Sequence, residues 1–221
     1  MRQRGPVLLA LASALLCPQP THARDSDSID GKVKAVLERK SGRWRDMNVP
    51  EQDGRILYDV VLKHGCKSAL EIGTSTGHSA LWIGWALSRT GGRLITLEID
   101  AERHREAVAL FAEAGLSRFV DARLGDAHEL VVTLPGPFDF VFIDADKDWY
   151  TNYANALLPK LSPGACMTAH NVREPGSGGW GSRGGTGAYY QFMKSLPGFE
   201  TSIHPDSVAG VAVSCKVVSK P

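Results

Sequence analysis

The apolar positions of this chain follow two periods that alternate along the sequence. Runs with a period near 3.6 residues predict helices, and short runs rich in β-branched and aromatic residues predict strands. The helical pattern covers residues 28–40, 51–64, 78–89 (amphipathic), 101–114, a turn or two from 127, 149–161 and 188–195. The strand pattern covers residues 68–72, 93–99, 119–124, 138–143, 165–169, 199–204 and 208–218.

This order of elements predicts the fold class. Strands that alternate with helices are typical of a parallel sheet covered on both faces. The continuous apolar run at 138–143 is typical of a central strand that is buried on both sides. The last two strands follow each other without a helix, so they should pair antiparallel through the turn near Pro205 and Asp206. We expect an α/β fold, a doubly wound, seven-stranded, mostly parallel sheet with a terminal antiparallel hairpin, in one domain over residues 24–221.

Composition and charge narrow the class of protein. The 221 residues are 43% hydrophobic and 22% charged, which is ordinary for a globular domain and argues against collagen, coiled coil and disorder. The 25 basic and 24 acidic side chains give a net charge of +1. This excess is too small for a broad nucleic-acid-binding face, so we expect no nucleic-acid partner. No apolar run reaches the roughly 20 residues of a membrane span.

The N-terminal segment predicts a secretory signal peptide over residues 1–23. Two arginines precede an uncharged apolar stretch at 7–17, and small residues occupy the cleavage positions in Thr21-His22-Ala23. The alternative is a disordered extension, or a start codon assigned too far upstream. We expect export to the periplasm or the medium if the signal is real, and a cytoplasmic protein otherwise.

Three cysteines remain after the predicted signal peptide. Cys66, Cys166 and Cys215 are an odd number, contain no C-x-x-C pair and lie in or beside apolar runs. Such cysteines are usually small buried hydrophobic side chains. We therefore expect no disulfide framework, even in an oxidising compartment.

Acidic residues follow three successive predicted strands, at the sheet edge where ligands bind in this fold class. The first strand leads into the loop 71–77, whose pattern E-x-G-x-x-x-G differs from the G-x-G-x-x-G of dinucleotide sites and suits a cationic ligand. Glu98 ends the second strand, where a carboxylate can bind both ribose hydroxyls, and Asp126 follows the third, within reach of an adenine amino group. Each acid alone could be a solvated strand end or a helix cap. Together they predict S-adenosylmethionine as the cofactor.

The fourth and fifth strands end in residues suited to acid–base and metal chemistry. Asp144 and Lys147 are three residues apart, so both can face one pocket as a metal ligand and a general base. Asp146 between them has the position of an outward cap. His170 and Asn171 follow the next strand and offer a nitrogen and an amide oxygen. The alternative for His170 is a capping role.

Several of these motifs occur together and in the order that is typical of one protein family. They are Met47-Asn48-Val49, the 71–77 loop, Glu98, Gly125-Asp126-Ala127, the 144–147 segment and His170-Asn171-Val172. The sequence resembles the catechol and caffeoyl-CoA type O-methyltransferases, most closely their small bacterial relatives, over about residues 34–217. The resemblance implies a Rossmann-like methyltransferase fold.

The resemblance also implies roles for individual residues. Lys147 would take the proton from the attacking hydroxyl, and Asp144 and Asn171 would act with it at the acceptor. A divalent metal would be held by Asp144, His170 and Asn171. The residues that would hold S-adenosylmethionine are Val49 and Ser79 at the methionine part, Glu71 and Gly73 at the amino group, Ser75 and Gly77 in the loop, Glu98 at the ribose, Asp126 and Ala127 at the adenine, and Asp144.

Two features depart from the family pattern. His170 stands where the family has an aspartate, so a neutral imidazole would replace an anionic ligand. We expect any metal dependence to be met best by a borderline transition ion, and activity to fall below pH about 6.5 as His170 protonates. The glycine-rich segment 174–187 is either a lid, with Trp180 or Arg183 touching the substrate, or a disordered loop.

The resulting expectation is a methyltransferase. It would transfer a methyl group from S-adenosylmethionine to a hydroxyl of a small aromatic, catechol-like acceptor, with divalent metal assistance. One alternative is a protein that binds the cofactor without catalysis. The other is a metal-independent methyltransferase of another acceptor class. Relatives of this type often form dimers, so the resemblance also implies a homodimer.

Overall fold

The computed structural model describes residues 28–44, 46–174 and 184–217. Its α-helices are α1 (Ile29–Lys40), α2 (Glu51–His64), α3 (His78–Thr90), α4 (Ala101–Glu113), α5 (Ala127–Thr133), α6 (Tyr150–Leu157) and α7 (Gly185–Ser195). Its strands are β1 (Ser68–Ile72), β2 (Arg93–Glu98), β3 (Val120–Leu124), β4 (Phe138–Ile143), β5 (Leu161–Ala169), β6 (Phe199–Ile203) and β7 (Ala212–Lys216).

The seven strands form one sheet in the order β3-β2-β1-β4-β5-β7-β6. The first five run parallel, and β7 pairs antiparallel with both β5 and β6. The predicted mostly parallel sheet with a terminal antiparallel hairpin is confirmed. The chain moves outward from β1 to β3 and then returns to place β4 on the other side of β1. This reversal separates the carboxyl ends of β1 and β4 and opens a cleft between them.

Helices cover both faces of the sheet. Along β4, Phe140 and Phe142 point to the face covered by α1 to α4, and Val141 and Ile143 point to the face covered by α5 to α7. All four side chains are fully buried, as the continuous apolar pattern of this strand predicts. The helix α3 also departs from the amphipathic expectation, because every side chain from His78 to Leu87 is buried. It lies between α2, α1 and the sheet, so no side of its first turns faces water.

Several predicted boundaries are wrong, and backbone hydrogen bonding explains them. The helix predicted at 149–161 ends at Leu157 and passes into a 3-10 turn containing Pro159, whose nitrogen has no proton to continue the ladder. As a result β5 begins at residue 161, four residues earlier than predicted. The last strand begins at 212 and not at 208, because the amide groups of Val208 and Ala209 bond the Asp53 carboxylate instead of a neighbouring strand.

Some expectations fall on residues outside the described part of the chain. These include the signal peptide at 1–23 and the lid candidates Trp180 and Arg183, which stay predictions. Across the residues that the structure describes, no helix has the length and apolar character needed to cross a membrane. The two ends of the glycine-rich segment are joined, since the Tyr190 hydroxyl donates to Glu174 Oε1 at 3.3 Å. The helix after the segment begins at 185, three residues earlier than predicted.

The expectation about the cysteines is wrong for two of the three. Cys166 of β5 and Cys215 of β7 form a disulfide, although 49 residues separate them in the sequence. The antiparallel register places them directly opposite each other, with a Cα–Cα distance of 4.1 Å. An odd number of cysteines gave no sign of this pairing. Cys66 is free and buried, as expected.

The disulfide should contribute measurably to stability. Closing a loop of this length restricts the unfolded chain and is worth about 4 kcal/mol in the entropic model. We expect Cys215→Ser to lower the free energy of unfolding in urea by a few kcal/mol, and reduction of the wild type to do the same. Cys66→Ala keeps the disulfide and is the matched control. Its free energy of unfolding should still fall when the disulfide is reduced. A wild type that is equally stable with and without reductant would contradict the prediction.

Candidate active site

A cleft of about 610 Å³ lies at the carboxyl ends of the parallel strands. Its volume is within the range of sites that hold drug-sized molecules. Nine of the predicted site residues line it, and they come from the ends of five strands. They are Gly73, Ser75, Glu98, Asp126, Ala127, Asp144, Lys147, His170 and Asn171.

The loop after β1 forms one wall of the cleft, and its backbone requires glycine. Gly73 has a φ of 94°, and a Cβ atom there would lie 2.2 Å from the carbonyl oxygen of Asp144. Gly77 has a φ of 99° and begins α3. Ser75 between them is also left-handed, with a φ of 49°, and its hydroxyl is buried without a hydrogen-bond partner among the described residues. The loop therefore approaches the neighbouring strand closely and keeps a polar atom free to bind a ligand.

Glu98 at the end of β2 holds this loop in place. Its Oε2 accepts from the Ser75 amide at 2.7 Å, and its Oε1 accepts from the Asp100 amide at 3.0 Å. The side chain is mostly buried but lines the cleft. Asp126 after β3 also lines the cleft while its Oδ1 caps α5 through the His128 amide at 2.8 Å. The capping and ligand-binding interpretations of Asp126 are thus compatible.

Glu71 lies behind the loop and not on the cleft wall. It is fully buried, and its Oε2 accepts from the Thr96 hydroxyl at 2.5 Å, while Oε1 has no partner among the described residues. Burial raises the pKa of Glu71 to about 8, and hydrogen bonds from Ser79 and Thr96 oppose this shift only in part. A buried carboxyl group with an unsatisfied oxygen can respond to a cationic group that approaches through the loop.

Three further predicted cofactor residues are also buried behind the cleft wall. Val49, Gly77 and Ser79 do not line the cleft. Val49 instead fixes the preceding segment, because its carbonyl oxygen accepts from His78 Nδ1 at 2.8 Å. His78 Nε2 accepts in turn from Trp82 at 3.0 Å, and burial lowers the pKa of His78 to about 4, so this histidine is neutral.

Asp144 and Lys147 meet in the cleft as their spacing predicts. Lys147 Nζ lies 2.5 Å from Asp144 Oδ1 and also donates to the Tyr150 hydroxyl at 2.9 Å. The lysine side chain is 41% exposed and the aspartate side chain 10%. The amine therefore remains accessible from the cleft while the carboxylate lies deeper. Asp146 caps the next turn by accepting from the Asp148 amide at 3.1 Å, as predicted, but it also lines the cleft, so the expected outward position is wrong.

His170 lies between two carboxylates. Its Nδ1 is 3.2 Å from Asp144 Oδ2, and its Nε2 is 3.0 Å from Asp53 Oδ2. Burial by itself would lower the pKa of His170, but the hydrogen bonds and charges of Asp144 and Asp53 outweigh it and raise the pKa to about 9. The pKa values of both carboxyl groups are lowered despite burial, chiefly by the hydrogen bond from His170. The expectation of a neutral His170 is wrong, and the expected loss of activity below pH 6.5 loses its basis.

The residues predicted to bind a metal do not fit one in this arrangement. Asp144 Oδ1 lies 2.5 Å from Lys147 Nζ and its Oδ2 lies 3.2 Å from His170 Nδ1, and the other ring nitrogen of His170 lies 3.0 Å from Asp53. Asn171 lies on the cleft wall with a left-handed φ of 55°. Magnesium prefers several oxygen ligands, and a transition ion needs a deprotonated imidazole. Within the described residues the geometric cluster of His64, Cys166 and Cys215 does not serve either, because its cysteines are joined in the disulfide.

Sequence reasoning missed Asp53, which is completely buried on α2. Besides His170, it accepts from the Ser207 hydroxyl and from the amides of Val208 and Ala209, at 2.8 to 3.2 Å. A signal was present, since Asp53 occupies the same helical face as the buried Ile56, Leu57 and Val60 at spacings of three, four and seven. A carboxylate on an apolar stripe needs partners, and those partners indicate a site.

The comparisons with known proteins agree with this fold and cleft. The fold and the cleft define an α/β protein of the doubly wound, nucleoside-cofactor-binding class. A model of the O-methyltransferase family matches residues 21–177. The chain belongs to the O-methyltransferase family.

Individual relatives are moderately similar. A catechol O-methyltransferase of Niastella koreensis is 37% identical over 134 residues, which are 59% of this chain and 60% of that protein. A caffeoyl-CoA O-methyltransferase of Zea mays is 32% identical over 140 residues, which are 61% of this chain and 53% of that protein. The match therefore spans less than two thirds of the length of these relatives.

A solved structure supports the fold over a larger part of the chain. The O-methyltransferase from Bacillus cereus, in complex with S-adenosylhomocysteine (SAH), is 26% identical with a TM-score of 0.70, over 87% of this chain and 94% of that chain. The predicted fold and the family resemblance are thereby confirmed.

The raised pKa of His170 predicts how stability depends on pH. A histidine whose pKa rises from 6.5 to about 9 on folding stabilises the protein fully below pH 6.5 and loses this contribution as the pH rises through 9. The His170→Gln variant should be less stable than the wild type by roughly 3 kcal/mol at pH 6. Urea unfolding of both proteins should show this gap closing towards pH 9. Glu71 titrates in both proteins, so its effect cancels, and a gap that stays constant would contradict the assignment.

Proposed function

We propose that this chain transfers a methyl group from S-adenosylmethionine to a hydroxyl of a small aromatic, catechol-like acceptor. The observation that carries the proposal is the position of Lys147 Nζ, accessible from the cleft and 2.5 Å from the buried Asp144 carboxylate. The opposite part of the same cleft presents Glu98 and Asp126. A base and a set of cofactor-binding acids therefore share one cavity.

The residues present suit S-adenosylmethionine better than a phosphate-bearing cofactor. Glu98 and Asp126 would repel a pyrophosphate, but their carboxylates can bind ribose hydroxyls and the adenine amino group. Ser75 lines the cleft, and its Oγ, which has no hydrogen-bond partner among the described residues, can bind a polar group of the methionine part, with the Glu71 carboxyl group buried behind the loop. Two solved relatives point the same way, since the Bacillus cereus protein was crystallised with SAH and TomG from Streptomyces achromogenes, 25% identical, with SAM.

The chain supplies acid–base chemistry through Lys147. The bound cofactor supplies a methyl group on a sulfonium. As the acceptor oxygen bonds to the methyl carbon and the carbon–sulfur bond breaks, its hydroxyl proton would pass to Lys147 Nζ, after the resting ammonium has released a proton to solvent from its exposed side chain. The ammonium that forms remains paired with Asp144 and bonded to the Tyr150 hydroxyl. A buried carboxylate stabilises this ammonium and so favours removal of the proton. No step is assigned to a divalent cation, because Asp144 and His170 are already fully bonded.

The acceptor class follows from the cleft surface and from the relatives. Met47 and Ile99 line the cleft and are 73% and 67% exposed, which leaves apolar surface for a planar ring. Asn171, two residues after β5, lines the same cleft as Lys147, and both side chains can contact the hydroxyl groups of the acceptor. The Niastella koreensis relative is a catechol O-methyltransferase and the Zea mays relative a caffeoyl-CoA O-methyltransferase. Aromatic acceptors with neighbouring hydroxyls are therefore the first to test.

Removal of the proposed base should separate catalysis from cofactor binding. We expect Lys147→Met to lower turnover of a catechol acceptor at least about a hundredfold, while SAH affinity measured by calorimetry changes little. Lys147→Arg keeps the positive charge beside Asp144 but provides no neutral amine, so it should be nearly as inactive. Lys63→Met, on the exposed side of α2, is the control and should be as active as the wild type. An active Lys147→Met variant would remove the base from the mechanism.

Methyl transfer itself is tested with methyl-labelled S-adenosylmethionine and a panel of catechols, simple phenols and non-aromatic alcohols. Label should appear in the catechol product first. If SAH binds but no acceptor is labelled, the protein is a cofactor-binding protein without catalysis, and the proposed function fails.

The cofactor assignment makes a separate prediction at Glu98. Glu98→Gln keeps the shape of the side chain but removes the charge that would bind two ribose hydroxyls. We expect SAH affinity to fall by about tenfold or more, since hydrogen bonds to a charged group contribute roughly 1.5–3 kcal/mol. Glu102→Gln, exposed on the first turn of α4, should leave affinity unchanged. Equal affinities of wild type and Glu98→Gln, in a folded variant, would place Glu98 outside the cofactor site.

A further inference from the structure

The most unusual feature of the cleft is a row of four alternating charges. Asp53, His170, Asp144 and Lys147 follow one another with hydrogen bonds of 3.0, 3.2 and 2.5 Å between neighbours. Three of the four side chains are at most 10% exposed, and Lys147 at the end of the row faces the cleft. In the resting cleft the row therefore places a nitrogen of Lys147 or of His170 against each oxygen of the Asp144 carboxylate.

The charges in this row sum to zero when His170 is protonated. Glu71 also interacts with Asp144, and burial raises its pKa to about 8, while Glu98, Asp126 and Asp146 line other parts of the same cleft. A divalent cation at Asp144 would thus find no net negative charge within the row and would have to displace Lys147 or His170 from the carboxylate. Bringing a doubly charged ion into a buried cluster without net charge is unfavourable, because the desolvation cost is not repaid.

Asp53 keeps the imidazole in this position. Its carboxylate accepts four hydrogen bonds, one from His170 and three from the loop of residues 207–209 between β6 and β7. The loop is tied down again, since Gly210 N and Val211 N both donate to the Ser207 hydroxyl. The Asp53 carboxylate is held by two segments and cannot move with the imidazole. Movement of His170 away from it would leave a buried carboxylate unpaired, which would cost several kcal/mol.

We propose that His170, held by Asp53 through one ring nitrogen and bonded to Asp144 through the other, occupies the place that a divalent cation would otherwise take at Asp144, so that the cleft works without a metal. The inference rests on the proposed methyl transfer for its functional meaning. Its structural content, a site that excludes divalent cations, stands on the four-residue row. Asp53 is a positioning residue in this scheme, because it acts only through His170.

Binding of Mn²⁺ tests the inference without any acceptor. Calorimetry and the electron paramagnetic resonance of Mn²⁺ are recorded at pH 7 on the full chain. We expect the wild type not to bind Mn²⁺ at Asp144. Any Mn²⁺ binding elsewhere should therefore be the same in the wild type and in Asp144→Asn. His170→Asp changes the sum of the row from zero to two negative charges, and it should bind Mn²⁺ at least about tenfold more tightly than the wild type. The double variant His170→Asp with Asp144→Asn should lose this gain, which locates the ion at Asp144.

Binding by the wild type that disappears in Asp144→Asn would overturn the inference, and so would a folded His170→Asp variant with no gain in affinity. Folding is checked by circular dichroism and SAH binding. If His170→Asp does not fold, His170→Asn takes its place and should show a smaller gain.

A second experiment measures methyl transfer in excess chelator. The wild type should keep its full rate, and a rate lost in chelator and restored by a metal would overturn the inference. Should no acceptor be methylated at all, the proposed function fails, while the Mn²⁺ measurements still decide whether His170 excludes the cation.

Discussion

The carboxylate of Asp144 lies where the strand order reverses, and the rest of the site is arranged around it. The backbone of Asp144 is fixed from β1, since its amide donates to the Ile72 carbonyl and its own carbonyl passes so close to Gly73 that no side chain fits there. Its two oxygens are held by Lys147 and His170. Lys147 and His170 are thus both positioned by the Asp144 carboxylate.

This constraint links the catalytic side of the cleft to parts of the chain that are distant in sequence. His170 connects Asp144 to Asp53 on α2, and Asp53 connects α2 to the loop before β7. A few residues further along, Cys215 of β7 is covalently joined to Cys166 of β5. The terminal hairpin is therefore fastened to the sheet twice, by a buried carboxylate and by a disulfide. Because β5 carries His170 at its tip, both attachments hold the imidazole at a fixed distance from the proposed base.

The cofactor side of the cleft depends on a different kind of interaction. There the backbone is shaped by left-handed residues at 73, 75 and 77, and Glu98 accepts a hydrogen bond from the Ser75 amide without an ion pair among the described residues. Acids on that side remain available to hydroxyl and amino groups, whereas the acids on the other side are paired with cations. This asymmetry is the basis of the two proposals, which place a cationic nucleoside cofactor on one side of the cavity and no divalent ion on the other.

The sequence alone determined the strand–helix order, the central apolar strand, and which residues would gather at the carboxyl ends of the strands. It could do so because periodicity and strand-end position are local properties of the sequence. In a parallel sheet, residues that follow neighbouring strands lie at the same edge and therefore close together. The protonation of His170, the participation of Asp53 and the disulfide were decided only by the tertiary structure. His170 and Asp53 are 117 residues apart and the two disulfide cysteines are 49 apart, and they are brought together by the reversal of strand order and by the antiparallel pairing of β7. The sequence does not show which groups surround a histidine, and here two carboxylates from different elements lie against the imidazole of His170 and raise its pKa to about 9.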